Sequence, residues 1–461
     1  MFRLIFNILV KIKSFLFISW FYRNFIIKKS KISSNKKNVL FLDPAKFRGD
    51  IDCLKKDKKY NISLIESRWL WATISSFISG KIDILDYLNF SKSKQKKSYN
   101  KIDAFHKSLV HNICSHYKID CVIIANYRYV EYLPWLKAFK NLSIPIIIFY
   151  RECLLTTERF YDGVYSRHKL FKNYPFDHII VHNDITKKTF VSSHMAKESQ
   201  VSVAGALRMD SLLTTINKKF STKNTRRKKV TLFYFDYRDS LFGKEKLSKI
   251  IETGYGDKYN YVEKIWPYRE NLFDDLHSTL IKLAINNPEI DVVIKAKKIQ
   301  KEKNNQSWEK FIDIQKKYNV DTLDLKNYFV LNEGNVHNLI MESNIIIGLQ
   351  SSTVLESAIA NKYVIFPLFY NYSRIENFRD FHWHQYINLF EVADSGNQLY
   401  EMILNYLSNE REISSEIIEG RKKLFEKYFY NLEGKSLQKY HQIIQGVLSE
   451  HNEQLKINAQ A

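Results

Sequence analysis

Residues 335–369 read NVHNLIMESNIIIGLQSSTVLESAIANKYVIFPLF, and this stretch decides the fold. It reads helix, strand, tight turn, helix, strand. The apolar run 345–349 has no polar alternation, as expected of a strand buried on both faces. Ser351, Ser352 and Thr353 open the next helix, and a second apolar run follows at 363–367. Strands alternating with helices imply parallel pairing, because each return to the same edge needs a crossover.

The same alternation extends in both directions. Upstream in the same half, strands are expected at 230–235, 292–296 and 328–331, with a helix over 270–286. An earlier series is expected at 39–42, 121–125, 144–150, 178–182 and 201–204, with helices over 104–117 and 186–195. Between the two series lies TTINKKFSTKNTRRKK, residues 214–229, basic and poor in large apolar residues. It reads as a linker. The expected class is α/β, two tandem Rossmann-like parallel-sheet domains facing across a cleft. Their bounds are 38–213 and 230–408, with a helical tail at 409–461. Ligands of such sheets bind at the carboxyl ends of the strands. There is no GxGxxG and no Walker A loop, which argues against a dinucleotide dehydrogenase or a P-loop enzyme.

Composition sets wider limits. The 461 residues favour at least two domains. Lys plus Arg number 71 against 49 Asp plus Glu, a net charge of +22. That field suits polyanions, anionic lipid or phosphate-bearing substrates. The basic residues are interspersed with acidic ones and no recognition motif is present, so no nucleic-acid partner is expected. The four cysteines, Cys53, Cys114, Cys121 and Cys153, lack CxxC spacing and read as reduced cytosolic thiols.

The N-terminal segment, residues 1–31, is apolar but interrupted. Its longest stretch without a charge, 14–22, is too short to span a bilayer, which takes about 20 residues. Arg3, Asn7, Lys11 and Ser14 share one helical face, and Lys28, Lys29 and Lys31 follow Trp20, Phe21 and Tyr22. Such a segment lies in the interface of an anionic membrane, or packs on the protein's own core.

Three segments carry chemistry. Ser351, Ser352 and Thr353, at a helix start after a buried strand, suit a nucleotide phosphate; plain N-capping is the competing reading. Residues 203–210, VAGALRMD, place Gly205, Arg208 and Asp210 where the first series leaves for the linker. Arg208 neutralises a phosphate there, or pairs with Asp210 to hold the turn. Residues 291–298, DVVIKAKK, put Lys295 and Lys297 at the end of a strand, where they act as point charges on phosphate or form a solvated loop.

The stretch 335–369 resembles the nucleotide-binding half of GT-B glycosyltransferases. It is most similar to enzymes of bacterial surface-polysaccharide assembly, the CMP-Kdo transferases and the CDP-glycerol glycerophosphotransferases. In these an SS(T/V) turn holds the donor phosphates. The resemblance implies a cytidine-activated donor on Ser351, Ser352 and Thr353, with Glu356 near its ribose; a solvated helix position is the alternative for Glu356. It also matches the G-x-x-R-x-D turn to Gly205, Arg208 and Asp210. The K-x-H-P of the teichoic enzymes is absent after Lys295. The implied activity is transfer of a sugar, Kdo in the first instance and with retention, to a lipopolysaccharide or capsule acceptor. The implied place is the cytoplasmic face of the inner membrane. No cofactor and no metal are implied. An alditol-phosphate transferase and a sugar-nucleotide epimerase are the alternatives.

Retaining transfer can use two carboxylates. Asp236 and Asp239 follow the first strand of the second series, and Glu152 and Glu158 follow the strand at 144–150. Asp236 is the expected nucleophile and Glu152 the acid/base. Arg151 and Arg238 stand beside them, so structural ion pairs compete with this reading. Among the histidines, His182 ends a strand; His337, His382 and His384 lack the spacing of a metal site.

Overall fold

The computed structural model describes residues 14–29, 33–78, 80, 82–218, 227–233, 258–296, 306–320, 323–349, 351–370, 381–409 and 412–460. The chain forms two compact units, Met1–Asn217 with Lys427–Ala461, and Lys218–Glu426. Each is built on one largely parallel sheet.

The sheet of the first unit uses β1 (Lys28–Lys29), β2 (Asn38–Leu42), β3 (Asn61–Ile65), β4 (Cys121–Ile124), β5 (Ile146–Phe149), β6 (His178–Val181) and β7 (Val201–Val203). Their order is β1-β3-β2-β4-β5-β6-β7, parallel except for the short β1. Alternation along the strands sorts side chains onto two cores. Leu40, Leu42, Val122, Ile124, Ile146 and Ile148 face one layer, with Leu109 and Trp135 from the helices Lys96–Cys114 and Leu133–Asn141. Val39, Phe41, Cys121, Ile123, Ile147 and Phe149 face the other, covered by Tyr440, Ile444 and Val447 of the helix Ser436–Gln460. The end of the chain therefore completes the first unit.

The second sheet uses β8 (Lys228–Phe233), β9 (Ile290–Lys295), β10 (Tyr328–Leu331), β11 (Ile345–Ile347), β12 (Tyr363–Pro367) and β13 (Glu391–Ala393), in the order β10-β9-β8-β11-β12-β13 and parallel throughout. This is the doubly wound order, with its reversal between β8 and β11. The α/β class and the two tandem Rossmann-like units expected from the sequence are both present.

The differences have physical causes. β3 escapes a hydropathy reading because Asn61 and Ser63 are polar yet buried. Asn61 Nδ2 donates to Ser33 O at 2.8 Å and Asn38 Oδ1 at 2.9 Å, which stitches β3 to its neighbours. β13 is a three-residue edge strand opening on Glu391, too short to signal. The run at 345–349 gives a strand of three residues; Gly348 and Leu349 already turn away. The described part of the segment 409–461 holds two helices, Ser415–Phe429 and Ser436–Gln460, and the helix Gly396–Asn409 precedes it.

The described part of the N-terminal segment is a helix, Phe15–Phe21, continued by a wider turn at Tyr22–Ile26. Ile18, Tyr22 and Ile26 are buried in the first unit's core, and Tyr22 Oη donates to Trp69 O at 2.7 Å. Leu16, Phe17, Trp20 and Phe25 are exposed, Leu16 to 72%. One face packs on the protein and the other presents apolar side chains. Arg3, Asn7 and Lys11 lie outside the described residues. Among the described residues, no helix is long and apolar enough to cross a membrane.

Candidate functional site

In the second unit, the sheet reversal puts the crevice at the carboxyl ends of β8 and β11. The turn after β11 occupies it. A Cβ at Gly348 would stand 3.3 Å from Val354 Cγ2, so the glycine lets the helix Thr353–Ile359 start close against its strand. Trp383 Nε1 donates to Leu349 O at 2.8 Å and fixes the turn.

The three hydroxyls are organised among themselves. Thr353 Oγ1 donates to Ser351 Oγ at 2.8 Å, and Thr353 N lies 3.3 Å from the same oxygen. Ser352 makes no cap bond of its own to the helix backbone. Its hydroxyl donates to Glu356 Oε1 at 3.1 Å, and His337 Nε2 lies 3.3 Å from Glu356 Oε2. Glu356 is 3% exposed, so it is no solvated helix residue. A carboxylate held from both sides keeps a fixed orientation, as a group that positions a polyol must.

Lys295 ends β9 and is buried. Its ammonium donates to Ala296 O at 2.8 Å and to Asn332 O at 3.1 Å, tying the ends of β9 and β10 together. Burial lowers its pKa, with Glu333 opposing. Asp236, Asp239, Arg238 and Lys297 lie outside the described residues.

The first unit carries the other set. Arg151 follows β5 and is nearly buried. Its Nη1 donates to Lys46 O at 3.1 Å and lies 3.4 Å from Asp50 Oδ2. Burial pushes Arg151 down to about 10; Asp50 opposes that shift, and Arg208 and Arg48 add to it. Glu152 is exposed at the rim, 3.7 Å from Arg128 Nη2. Glu158 begins the helix Glu158–Lys169, capped by Thr157 Oγ1 accepting from Phe160 N at 3.3 Å. A carboxylate there also suits the helix dipole.

His182, just past β6, is 2% exposed. Burial lowers its pKa well below the usual histidine value, and Arg208 and Arg151 lower it further. The ring is therefore neutral. Gly205 has φ +80°, and a Cβ there would fall 2.7 Å from Phe429 O. Asp210 Oδ2 accepts from Leu437 N at 2.7 Å and Oδ1 from Ser436 N at 3.1 Å. This turn receives the start of the last helix. The Arg208 guanidinium lies 5.8 Å from the centre of the Phe429 ring.

Besides Asp50, two further carboxylates escaped the sequence reading. Asp43 directly follows β2 and Glu131 follows β4, and both are buried. Burial raises the pKa of each. Tyr132 Oη reaches Asp43 Oδ2 at 3.5 Å and Ser67 Oγ reaches Glu131 Oε1 at 3.4 Å. An Asp directly after the run NVLFL was the available signal for the first. Among the described residues, no cluster of three metal-ligating side chains occurs. His382 and His384 flank the buried Trp383.

No protein-family model matches the chain, and no curated protein does. Solved structures do. The chain is similar to the UDP-GlcNAc 2-epimerase of Neisseria meningitidis bound to UDP-GlcNAc, at 15% identity, over 89% of this chain and 100% of that one, TM-score 0.46. It is similar to a UDP-forming trehalose-phosphate synthase of Burkholderia xenovorans at 11% identity, over 90% and 99%, TM-score 0.46. It is similar to the wall teichoic acid polymerase TagF at 12% identity, over 91% and 90%, TM-score 0.44. Identities and scores this low do not single out an activity.

Proposed function

We propose that this chain is a GT-B glycosyltransferase that moves a sugar from a cytidine-activated donor, Kdo from CMP-Kdo in the first instance, to a lipopolysaccharide or capsule acceptor. The observation that carries the reading is the turn after β11. Three adjacent hydroxyls stand at the sheet's reversal, one of them shared with a buried Glu356 that His337 also holds. Hydroxyl donors suit donor phosphate and the oriented carboxylate suits ribose hydroxyls.

For the chemistry we assign Asp236 as nucleophile and Glu152 as acid/base, with Asp239 and Glu158 as their alternates. Asp236 displaces the nucleotide from the anomeric carbon. The acceptor hydroxyl then displaces Asp236, and its proton passes to Glu152. Glu152 at an exposed rim is accessible to such a hydroxyl. We place the protein on the inner surface of an anionic membrane, where Leu16, Phe17, Trp20 and Phe25 form the contact face.

A thermal-shift panel of CMP, CDP, UDP and GDP tests the donor. A ligand that binds only the native state raises the melting temperature by mass action. Selective stabilisation by cytidine nucleotides is expected. Selective stabilisation by UDP would remove the cytidine assignment and favour an epimerase.

A further inference from the structure

Among the described residues, the two sheets end in four edge strands, β1, β7, β10 and β13. An open edge presents unpaired N–H and C=O groups, and short length or charge usually protects it. β1 is two lysines, Lys28 and Lys29. β7 is three residues with Ser202 at its centre, and β13 is three residues opening on Glu391. β10 has neither protection. It reads Tyr328, Phe329, Val330, Leu331, four large apolar side chains in a row.

The inner bonds of β10 define its outer side. The carbonyls of Asn327 and Leu331 accept from Val292 N at 2.7 Å and Ala296 N at 3.0 Å, on the β9 side. Strand geometry alternates, so Tyr328 and Val330 turn their backbone groups away from β9. Tyr328 N is taken by Leu325 O at 3.4 Å. The N–H and C=O of Val330 have no partner among the described residues. Side chains alternate as well. Tyr328 and Val330 pack on the second unit's core. Phe329 and Leu331 face the other way and are 39% and 38% exposed.

We propose that β10 pairs antiparallel with β10 of a second copy of this chain, joining the two second-unit sheets into one. A two-fold axis through Val330 uses the outward groups. Val330 N–H of each copy donates to the Val330 carbonyl of the other, and Asn332 N–H comes opposite the Tyr328 carbonyl. In that register Phe329 of each copy lies opposite Leu331 of the other, so the exposed pair covers itself. Antiparallel pairing also sets the start of one strand beside the end of the other, which brings the exposed Lys326 near the exposed Glu333. A second copy suits this edge better than an anionic membrane does, because the exposed acids Asp324 and Glu333 flank the apolar pair. The contact is small, so the dimer is weak, with a dissociation constant on the order of 1–100 µM.

The test is sedimentation of the full-length protein over a concentration series that brackets this range. It compares the natural chain with a Phe329→Lys, Leu331→Lys double variant and a Leu16→Ser, Trp20→Ser double variant. The natural chain should pass from monomer to dimer. Facing like charges should weaken the dimer by at least about 100-fold in the lysine variant. Its melting temperature should hold, because both side chains are exposed. The serine variant, altered on the N-terminal apolar face, should dimerise as the natural chain does. A monomer throughout, a dimer that survives the two lysines, or a dimer lost with the two serines would overturn the pairing. Oxidative cross-linking reads the register and does not depend on the lysine variant folding. Phe329→Cys mixed with Leu331→Cys should give a disulfide-linked heterodimer, since a non-hydrogen-bonded pair puts Cα atoms about 4.5 Å apart. Either variant alone places its cysteines on the diagonal, about 7–8 Å apart, and should link more slowly. Equal yields from the mixture and from the single variants would overturn this register and the proposal with it.

Discussion

The two units build their strand ends from different chemistry on nearly the same scaffold. The first unit places charge there: Arg151 against Asp50, Arg128 against Glu152, and the buried acids Asp43 and Glu131. The second, where it is described, places hydroxyls after β11: Ser351, Ser352 and Thr353, with a buried Glu356, while the buried Lys295 at the end of β9 is bound to backbone carbonyls. Parallel sheets fix only where a site stands. The turn residues decide whether it is a set of fixed charges, strong but sensitive to protonation, or a set of hydroxyl donors that adapts to one ligand.

The comparison breaks most sharply at the carboxylates. Asp236→Asn removes a charge while keeping shape, and turnover should fall by three orders of magnitude or more while nucleotide binding survives. Glu152→Gln should lower turnover by roughly 10²–10⁴-fold, the range for a lost general acid or base. Steady-state rates with a soluble acceptor read both. Near-normal turnover in Asp236→Asn would end its assignment as nucleophile. If Glu152→Gln alone is silent, Asp43 or Glu131 becomes the first unit's acid/base.

The second unit is tested at its hydroxyls. Ser351→Ala with Ser352→Ala should weaken nucleotide binding by about 1.5–3 kcal/mol for each charged hydrogen bond lost. Titration calorimetry on the folded double variant reads this. Unchanged affinity would reduce the turn to a helix start.

How much of this was legible depended on whether a signal was local. Ten strands were visible as apolar runs or short alternations, and the rule that ligands bind at strand carboxyl ends pointed to the turn after the run at 345–349. β3 was hidden because Asn61 and Ser63 are buried by hydrogen bonding, which hydropathy does not report. The Ser-Ser-Thr turn was readable, but the His337–Glu356 contact joins two helices and leaves no trace in spacing. The G-x-x-R-x-D turn was also readable. Its role was not, because Asp210 meets a helix more than two hundred residues away.

Protonation should weaken both units alike. Burial pushes His106 down to about 4, His168 to about 3 and His178 to about 4 in the first unit, and His277 to about 3 and His382 to about 4 in the second. Each stays neutral in the fold but titrates near 6.5 once unfolded. The unfolded chain therefore binds more protons as pH falls, and stability drops between about 6.5 and 4. Above 6.5 these groups contribute no slope. For His106 the loss is on the order of 3 kcal/mol across that window. Its Nδ1 meets Ile102 O and its Nε2 meets Thr73 Oγ1, each at 2.8 Å, so both nitrogens are committed within the core. His106→Gln should flatten the acid slope of denaturant unfolding whatever it does at pH 7.5. An unchanged slope would mean that His106 does not stay neutral.

The smallest effect concerns how the first unit is closed. It is made from two distant pieces of chain, and Asp210 joins them by accepting the first free N–H groups of the helix Ser436–Gln460. Those groups have no partner within their own helix, so removing the carboxylate leaves them for water to satisfy in a buried place. Asp210→Ala should cost about 0.5–2 kcal/mol, the range for a lost cap. Asp210→Asn keeps one acceptor oxygen and should recover part of it. Hydrogen exchange is the sharper readout. The amides of Ser436–Gln460 should lose protection in Asp210→Ala, and so should β5, because Phe149 packs on Tyr440 at 4.8 Å between ring centres. The strands β8–β13 should keep theirs. If protection falls equally in both sheets, the two units unfold as one body, and their differences in charge have no separate effect on stability.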